Sequence, residues 1–494
     1  MALKSLKDGV RRPGFDIGGL TSGILHLGCG AFHRAHQAIM TQRAIEAEGR
    51  NALKWGIAAV SMTRPTVPNQ LRPQDGLYTA LERSAQGVKA EIIGTLNEIV
   101  HAPSDAVGLP RRIASPTTEI VTLTVTPTGY LLEPTTGRLQ ESHRDIQHDL
   151  RHPERPRSAV GAIAAGLAQI HAAGRKPPVF ISCDNVSENG RTLQRAVANF
   201  AALRDDKLAS WIESHVTFPG TMVDRIVPTL THADHEDAER LTGLQDAAPV
   251  SMEPFAQWII EDFQGARPRW DLAGARFVAD ARPFELAKLR LLNGTHMLLA
   301  YLGGLAGYKT IADTMSDPLF AAFAESFMLR EQGMTLSMSP TELSGYVAQL
   351  TERLCNPAIR HDVSRIGRNG STKMATRLVR PLRENLSAGR ATPCAILTMA
   401  AWIRWFAPQG PKAPHLHVTD PRKDALSALF NETAADPLLQ ARRFLAQTEI
   451  FGPELPDHET IVQQLAASLE DLAKLPVREV LRRRLLSQRG HTAL

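Results

Sequence analysis

The sequence has few of the features that mark a membrane protein, a disulfide-stapled protein or a zinc site. Its 494 residues contain four cysteines, and their spacing matches neither a zinc site nor a disulfide framework: Cys29, Cys183, Cys355 and Cys394. No run of about 18 apolar residues occurs, which excludes a membrane-spanning helix. The first residues lack the apolar core of a signal peptide. We therefore expect a cytoplasmic protein with reduced thiols, no metal and no membrane partner.

Outside the carboxyl end, the numbers of positively and negatively charged residues are nearly equal. The formal net charge is +5, and residues 476–494 hold five arginines against one glutamate. One basic terminal helix of this kind is usually a solvated face rather than a binding arm. We expect no nucleic-acid partner.

The order of the predicted elements indicates an α/β fold. Short apolar segments predict strands at 24–27, 55–62, 90–96, 119–125 and 178–183, and a helix is predicted at 159–173. This alternation predicts a Rossmann-type, doubly wound parallel sheet in a dinucleotide-binding domain over 1–283. A mainly helical domain for substrate binding and catalysis is expected over 284–494, with helices at 284–304, 316–333, 340–355, 371–388, 391–406, 421–447 and 458–487.

A glycine-rich turn follows the first predicted strand. The segment Leu27-Gly28-Cys29-Gly30-Ala31-Phe32-His33-Arg34 begins like the fingerprint G-x-G-x-x-G and has His33 at the third glycine position. Gly28 permits a tight turn, and Gly30 lets a pyrophosphate approach backbone N–H groups at the start of a helix. The alternative is a plain strand-to-helix turn, but its place in the βαβ series favours a dinucleotide. His33 and His36 have no third metal ligand at a typical spacing.

The second predicted strand ends without the carboxylate that usually binds the ribose of NAD. It reads Val60-Ser61-Met62-Thr63-Arg64-Pro65. Arg64 either faces the 2′-phosphate of NADP or is a solvated arginine in a proline turn. We expect NAD as the cofactor and leave NADP open.

A polar trio lies in an apolar segment after residue 284. At about 100° per residue, Lys288, Asn293 and His296 share one face of a helix, and leucines occupy much of the rest. Such a helix is too apolar for the surface, and buried polar groups are costly unless they face a polar cavity. The segment therefore predicts a catalytic helix.

Further sequence blocks accompany the glycine turn and the polar trio in order. They are Gln74-Asp75-Gly76-Leu77-Tyr78-Thr79, Ser182-Cys183-Asp184-Asn185-Val186, Pro219-Gly220-Thr221-Met222-Val223-Asp224-Arg225, Glu253-Pro254-Phe255 and Gly370-Ser371-Thr372-Lys373. From about residue 23 to at least 410, the chain resembles the polyol-specific long-chain dehydrogenases, which include mannitol 2-dehydrogenase and fructuronate reductase. Leu292-Asn293-Gly294-Thr295-His296 resembles the fructuronate reductase branch more closely. Pro127 departs from the family pattern, in which a glutamate often stands there.

The resemblance implies a zinc-independent secondary-alcohol dehydrogenase. Lys288 would be the base, with a pKa lowered by desolvation and neighbouring cations, and Glu285 would help relay its proton to solvent. Asn293 and Asn185 would donate to the developing alkoxide, and His296 would orient the substrate and the lysine. The alternative readings are a Lys288–Glu285 ion pair and, for Asn185, a local backbone cap.

Asp224, Arg365 and Lys373 are the implied contacts for the far end of a small-molecule substrate. A guanidinium and an ammonium suit a carboxylate, hence a hexuronate, but the mannitol enzymes carry a matching pair. The expected reaction interconverts D-mannonate and D-fructuronate with NAD(P). The alternatives are a D-mannitol/D-fructose dehydrogenase and a catalytically silent dinucleotide sensor. A monomer or a weak homo-oligomer is expected.

Overall fold

The computed structural model describes residues 3–105, 107–133, 136–407 and 418–490. The chain forms two compact units, Met1–Glu285 and Leu286–Leu494. The strands are β1 (Ile24–Leu27), β2 (Ile57–Ser61), β3 (Tyr78–Ser84), β4 (Gly87–Ile93), β5 (Leu96–His101), β6 (Ile120–Leu123), β7 (Val179–Ser182), β8 (Thr221–Asp224), β9 (Val250–Met252), β10 (Gln257–Glu261) and β11 (Arg276–Val278).

The helices connect the strands of the first unit and make up the second. The α-helices are α1 (Ala31–Ala35), α2 (Gln37–Glu48), α3 (Thr66–Leu71), α4 (Gly108–Ile113), α5 (Arg144–Arg151), α6 (Ala159–Ala172), α7 (Asn189–Ala202), α8 (Asp206–His215), α9 (His232–Thr242), α10 (Arg282–Ala287), α11 (Gly294–Leu305), α12 (Ile311–Met315), α13 (Pro318–Phe327), α14 (Pro340–Leu354), α15 (Val363–Ile366), α16 (Gly370–Met374), α17 (Arg380–Ser387), α18 (Pro393–Arg404), α19 (Lys423–Thr433), α20 (Pro437–Leu445), α21 (Thr448–Phe451), α22 (His458–Lys474) and α23 (Val477–Gly490). Wider π-helical turns span Lys288–Asn293, Met328–Gln332 and Ala375–Val379.

A parallel sheet forms the centre of the first unit. Its strand order is β5-β2-β1-β6-β7, and every neighbouring pair is parallel. Alternate residues enter two apolar cores: Leu25 and Leu27 pack with α6 and α7, whereas Ile24 packs with α2. The strand order reverses between β1 and β6, which opens a crevice at their carboxyl ends. The predicted α/β, doubly wound fold is confirmed.

The first unit also contains two smaller sheets, and one predicted strand is divided between two observed strands. The orders are β4-β3-β9 and β11-β10-β8, and β3 and β4 form an antiparallel hairpin. The segment 90–96, predicted as one strand, contains the end of β4, a corner at Gly94 and the start of β5. A Cβ on Gly94 would lie 2.9 Å from Pro13 Cγ, so glycine is needed there. The apolar run on either side of Gly94 hides this corner in the sequence.

The second unit is helical, as predicted, but several long helices are divided. The segment 421–447 breaks at Asp436, whose carboxylate caps α20 by accepting from Leu438 N at 2.9 Å, with Pro437 in the first turn. The segment 458–487 breaks before Pro476, which cannot continue α22. No helix of the described ranges is both long enough and apolar enough to cross a membrane.

Candidate active site

The glycine turn after β1 is built so that only glycine fits at its first position. Gly28 has φ +105°, and a Cβ there would lie 2.2 Å from the carbonyl oxygen of Thr124. The Gly28 N–H donates to Val60 O at 2.8 Å, and the Thr124 N–H donates to Leu27 O at 2.8 Å. Hydrogen bonds from both neighbouring strands therefore hold the turn, and its close approach to β6 excludes any side chain.

A layer of histidines supports this turn from below. His26 Nδ1 lies 2.8 Å from Thr122 Oγ1, and His26 Nε2 lies 3.0 Å from Gly28 O and 2.9 Å from Thr124 Oγ1. The His33 ring stacks on the His26 ring at 3.4 Å between centroids. Burial lowers the pKa of His26 to about 3 and, followed by the effect of His26, lowers that of His33 well below its usual value. Both rings are therefore neutral, and His33 fills the core where the fingerprint has its third glycine.

A cleft of about 610 Å³ opens at the carboxyl ends of β1, β2 and β6. Of the predicted cofactor residues, Gly28, Cys29 and Gly30 line it. Leu27 is buried in the core. Other lining residues come from the end of β2 (Ser61, Met62, Thr63), from the segment after β6 (Thr124, Val125, Thr126, Thr128, Gly129, Leu131), and from the start of α5 and of α6 (His143, Arg144, Asp145, Arg157, Ser158, Ala159).

Five further predicted cofactor contacts are not among the residues that line this cleft. His33 is stacked in the core, and the Arg34 guanidinium donates to the carbonyl of Ala248. Ala31 and Phe32 are half-buried beyond the turn. Arg64 is exposed, and its carbonyl accepts from Ser61 Oγ at 2.6 Å. His33 and Arg34 are buried and therefore support the turn rather than line the cleft.

A buried carboxylate that sequence reasoning missed holds the segment after β6, which lines the cleft. Asp184 accepts from the N–H of Val125 at 3.1 Å, from the N–H of Thr126 at 2.7 Å and from Tyr130 Oη at 3.0 Å. Burial raises the pKa of Asp184. These bonds hold Thr126 at φ +70°, a backbone conformation that non-glycine residues rarely adopt. The clue was the position of Asp184 next to Asn185 in a matched block.

Asp145 is a second missed carboxylate. It lies at the start of α5 and lines the cleft, whereas the usual position for such an acid, the end of β2, has none in this sequence. Its side chain is 27% exposed and lies 3.7 Å from Arg144 Nε. No spacing in the sequence links Asp145 to the glycine turn, because the connection from β6 to α6 brings it there.

The first unit also contains Asn185, Asp224 and Glu285. Asn185 is exposed in the turn after β7, and Asp224 is buried at the end of β8. Glu285 Oε2, on α10, accepts from the N–H of Glu188 at 3.2 Å. The buried Asn189 side chain donates to Thr221 Oγ1 at 2.9 Å and accepts from the N–H of Thr221 at 2.9 Å. Asn189 therefore fixes the segment after Asn185 to the start of β8.

The polar trio of the second unit does not lie on a regular α-helix. Lys288–Asn293 is a π-helix between α10 and α11, so the predicted angular positions are wrong. Lys288 and His296 are 8% and 6% exposed, and Asn293 is half-buried. A π-turn contains an extra residue within an α-helix and often occurs at functional sites.

His296 is neutral and has an open ring nitrogen. Its Nε2 atom is buried and has no hydrogen-bond partner among the described residues. Its ring meets that of His361 edge to face, with 4.8 Å between centroids. Burial lowers the pKa of His296 well below its usual value, and the charges of His361, Arg353, Arg377 and Lys288 lower it further. The imidazole can therefore exchange a hydrogen bond with a ligand without being charged.

The π-helical turns meet at Gly294, directly after Asn293. A Cβ on Gly294 would lie 3.3 Å from the carbonyl oxygen of Arg377 and 3.5 Å from Gln332 Nε2. Gln332 Nε2 donates to that same carbonyl at 3.2 Å. This packing places the turn that contains Arg377 against the turn that contains Asn293.

Lys373 and Arg365 border the same group of cations. The Lys373 ammonium donates to Arg368 O at 2.5 Å and more weakly to Ile366 O at 3.4 Å. Burial, followed by the charge of Arg377, lowers the pKa of Lys373 to about 8. Arg365 is exposed. Burial of His361, followed by the charge of Arg365, lowers the pKa of His361 to about 4.

The described residues contain no group of three or more His, Cys, Asp or Glu side chains that could hold a metal.

Comparison with known proteins identifies the family. The mannitol dehydrogenase Rossmann domain matches residues 22–272, and the mannitol dehydrogenase C-terminal domain matches residues 280–473. The chain belongs to the mannitol dehydrogenase family. This finding confirms the predicted family and the assignment as an oxidoreductase.

The similarity to individual members extends over nearly the whole chain. D-mannonate oxidoreductase of Escherichia coli strain K12 is 40% identical over 95% of this chain and 97% of its own. Mannitol 2-dehydrogenase of Pyricularia oryzae is 32% identical over 94% and 93%. The ternary complex of Pseudomonas fluorescens mannitol 2-dehydrogenase with NAD and D-mannitol superposes with a TM-score of 0.86, at 34% identity and with 98% of each chain covered.

Proposed function

We propose that the protein is an NAD-dependent, zinc-independent oxidoreductase that interconverts D-mannonate and D-fructuronate. The observation that carries this proposal is a neutral His296 with an open ring nitrogen among the cations Lys288, Arg353 and Arg377. A site of this kind suits a substrate with both hydroxyl groups and a carboxylate. The similarity to D-mannonate oxidoreductase, the most similar of the relatives described, supports the same substrate.

The glycine-turn cleft is the proposed dinucleotide site, within a cofactor domain over 1–283. Two features of the cleft fit a dinucleotide. A Cβ at Gly28 would clash with Thr124, and the amino end of α6 lines the cleft at Ser158 and Ala159. NAD, when bound, supplies the hydride donor or acceptor. The absence of an acid after β2 leaves NADP as the alternative, although Asp145 offers a carboxylate for the ribose of NAD.

The catalytic and substrate-binding domain is proposed over 284–494. Lys288 accepts the hydroxyl proton during oxidation and returns it during reduction, with Glu285 relaying it to solvent. Asn293 donates to the developing alkoxide, and His296 Nε2 exchanges a hydrogen bond with a substrate hydroxyl.

The further proposed substrate contacts are Asn185, Asp224, Arg365 and Lys373. We place the enzyme in the cytoplasm as a monomer or a weak homo-oligomer. The small-molecule substrate and the dinucleotide are its only proposed partners.

The test measures NADH and NADPH oxidation with D-fructuronate, D-tagaturonate and D-fructose. We expect the highest kcat/KM with D-fructuronate and NADH. Turnover of fructose alone would contradict the proposal and establish the second candidate, a mannitol 2-dehydrogenase, which the Pseudomonas fluorescens complex favours. No turnover of any of the three would favour a dinucleotide sensor.

A further inference from the structure

Arg377 carries a charge without a counterion among the described residues. Its side chain is half-buried on the Ala375–Val379 π-helix. Within the described ranges its guanidinium forms neither an ion pair nor a hydrogen bond. Burial lowers the pKa of Arg377 to about 10, so it remains charged at neutral pH. Withdrawing an unpaired cation from water costs free energy, which a bound anion would offset.

Arg290 shows what a structural arginine looks like in the same unit. It is 2% exposed, and its two terminal nitrogens donate to the two carboxylate oxygens of Glu384 at 2.7 Å each. It also donates to Thr335 O at 2.7 Å. Arg377 has no such acid, although the two residues lie on π-helices that pack together.

The position of Arg377 connects it with the candidate site. Its carbonyl faces Gly294, directly after Asn293, and it follows Lys373 by four residues, across the junction of α16 and the Ala375–Val379 π-helix. Its charge lowers the pKa of both His296 and Lys373. The guanidinium therefore lies within electrostatic range of both the His296 ring and the Lys373 ammonium, on a turn that packs against the turn of Asn293.

The other two candidate anion binders are less suitable. The Lys373 ammonium already donates to two carbonyls, and Arg365 is exposed. A half-buried guanidinium can make two parallel hydrogen bonds to a carboxylate, which an ammonium cannot. We propose that Arg377 binds the carboxylate of the substrate and thereby selects a hexuronate over a neutral ketose. This inference rests on the proposed function and adds the residue that determines specificity.

The test compares Arg377→Met and Arg377→Lys with the wild type on D-fructuronate and on D-fructose. The control is Arg380→Met, which removes an exposed arginine that lies 3.5 Å from Glu384 on the next turn. For Arg377→Met we expect the fructuronate-to-fructose ratio of kcat/KM to fall about 100-fold, mainly through the KM for fructuronate. Arg377→Lys should lose less, and Arg380→Met should retain the wild-type ratio. Equal losses on both substrates, or no loss, would overturn the inference.

A binding measurement separates this inference from the proposed function. Calorimetry of the NADH-loaded protein compares D-mannonate with D-mannitol, a pair that differs in the carboxylate and needs no turnover. We expect Arg377→Met to weaken binding of mannonate about 100-fold and to leave the binding of mannitol within about threefold. If the wild type turns over no hexuronate, the proposed function fails, and this measurement still decides the role of Arg377. Unchanged mannonate affinity in Arg377→Met would refute it.

Discussion

Two buried, neutral histidines, one in each unit, differ in how their ring nitrogens are bonded. In the first unit, both ring nitrogens of His26 have partners, which are Thr122 on β6 and the residues that follow β1 and β6, Gly28 and Thr124. In the second unit, His296 is equally neutral but keeps Nε2 open, and Arg377 lacks the acid that Arg290 has. Buried polar groups normally find partners. We infer that His26 holds the shape of the glycine turn and that His296 and Arg377 await a ligand.

The strongest test of this contrast is Lys288→Ala. We expect kcat to fall at least about 1,000-fold, because the proton of the reacting hydroxyl loses its acceptor. The affinity for NADH, measured by fluorescence titration, should stay within about threefold, since the proposed cofactor cleft lies in the other unit. Near-normal turnover would remove Lys288 from the mechanism, and loss of NADH binding would indicate a folding defect instead.

We expect substitution of His26 to affect mainly stability and substitution of His296 to affect mainly activity. His26→Ala removes a hydrogen-bond partner of both Thr122 and Thr124 and opens a small cavity. We therefore expect the free energy of unfolding to fall by about 3 kcal/mol and NADH binding to weaken. His296→Ala should change the free energy of unfolding by less than about 1 kcal/mol while lowering kcat/KM. Urea unfolding and steady-state kinetics measure both. Equal destabilisation would mean that His296 is an ordinary core residue.

The two arginines sharpen the contrast further. Arg290→Met breaks the paired contact with Glu384 and the bond to Thr335, so unfolding should become easier by about 2 kcal/mol. Arg377→Met removes an unpaired cation, so the free energy of unfolding should stay the same or increase. Urea midpoints of the two variants check this. Matching losses would reveal a structural partner for Arg377.

The smallest expected effect is a pH dependence of anion binding. With a pKa of about 8, Lys373 is positively charged below that pH and neutral above it. The Kd of D-mannonate for the NADH-loaded protein should therefore rise up to about tenfold as the pH rises through 8. Lys373→Met should show a weaker affinity throughout and no such step. A step that persists in this variant belongs to another group.

The sequence predicted the fold better than the details of the site. Short apolar segments revealed β1, β2, β6 and β7, since buried parallel strands are continuous apolar runs. The corner at Gly94 was missed because apolar residues continue on both sides of it. The π-turn at Lys288–Asn293 was missed because its extra residue leaves the same apolar composition as an α-helix.

The roles of individual charged residues depend on contacts that sequence spacing does not reveal. Arg290 and Arg377 are both arginines in apolar helical segments, and only the presence or absence of Glu384 distinguishes them. Asp145 reaches the cleft through the fold of the β6–α6 connection. Asn185, Asp224, Glu285 and Arg365 keep their predicted roles as hypotheses, because those roles came from motifs.

The central claim is that His296 and Arg377 receive an anionic sugar acid. A crystal structure of the dead-end complex with NADH and D-mannonate tests it most directly. We expect a substrate hydroxyl about 3 Å from His296 Nε2 and both carboxylate oxygens at a similar distance from the Arg377 guanidinium. A carboxylate bound elsewhere, with Arg377 paired to a protein acid, would contradict the account.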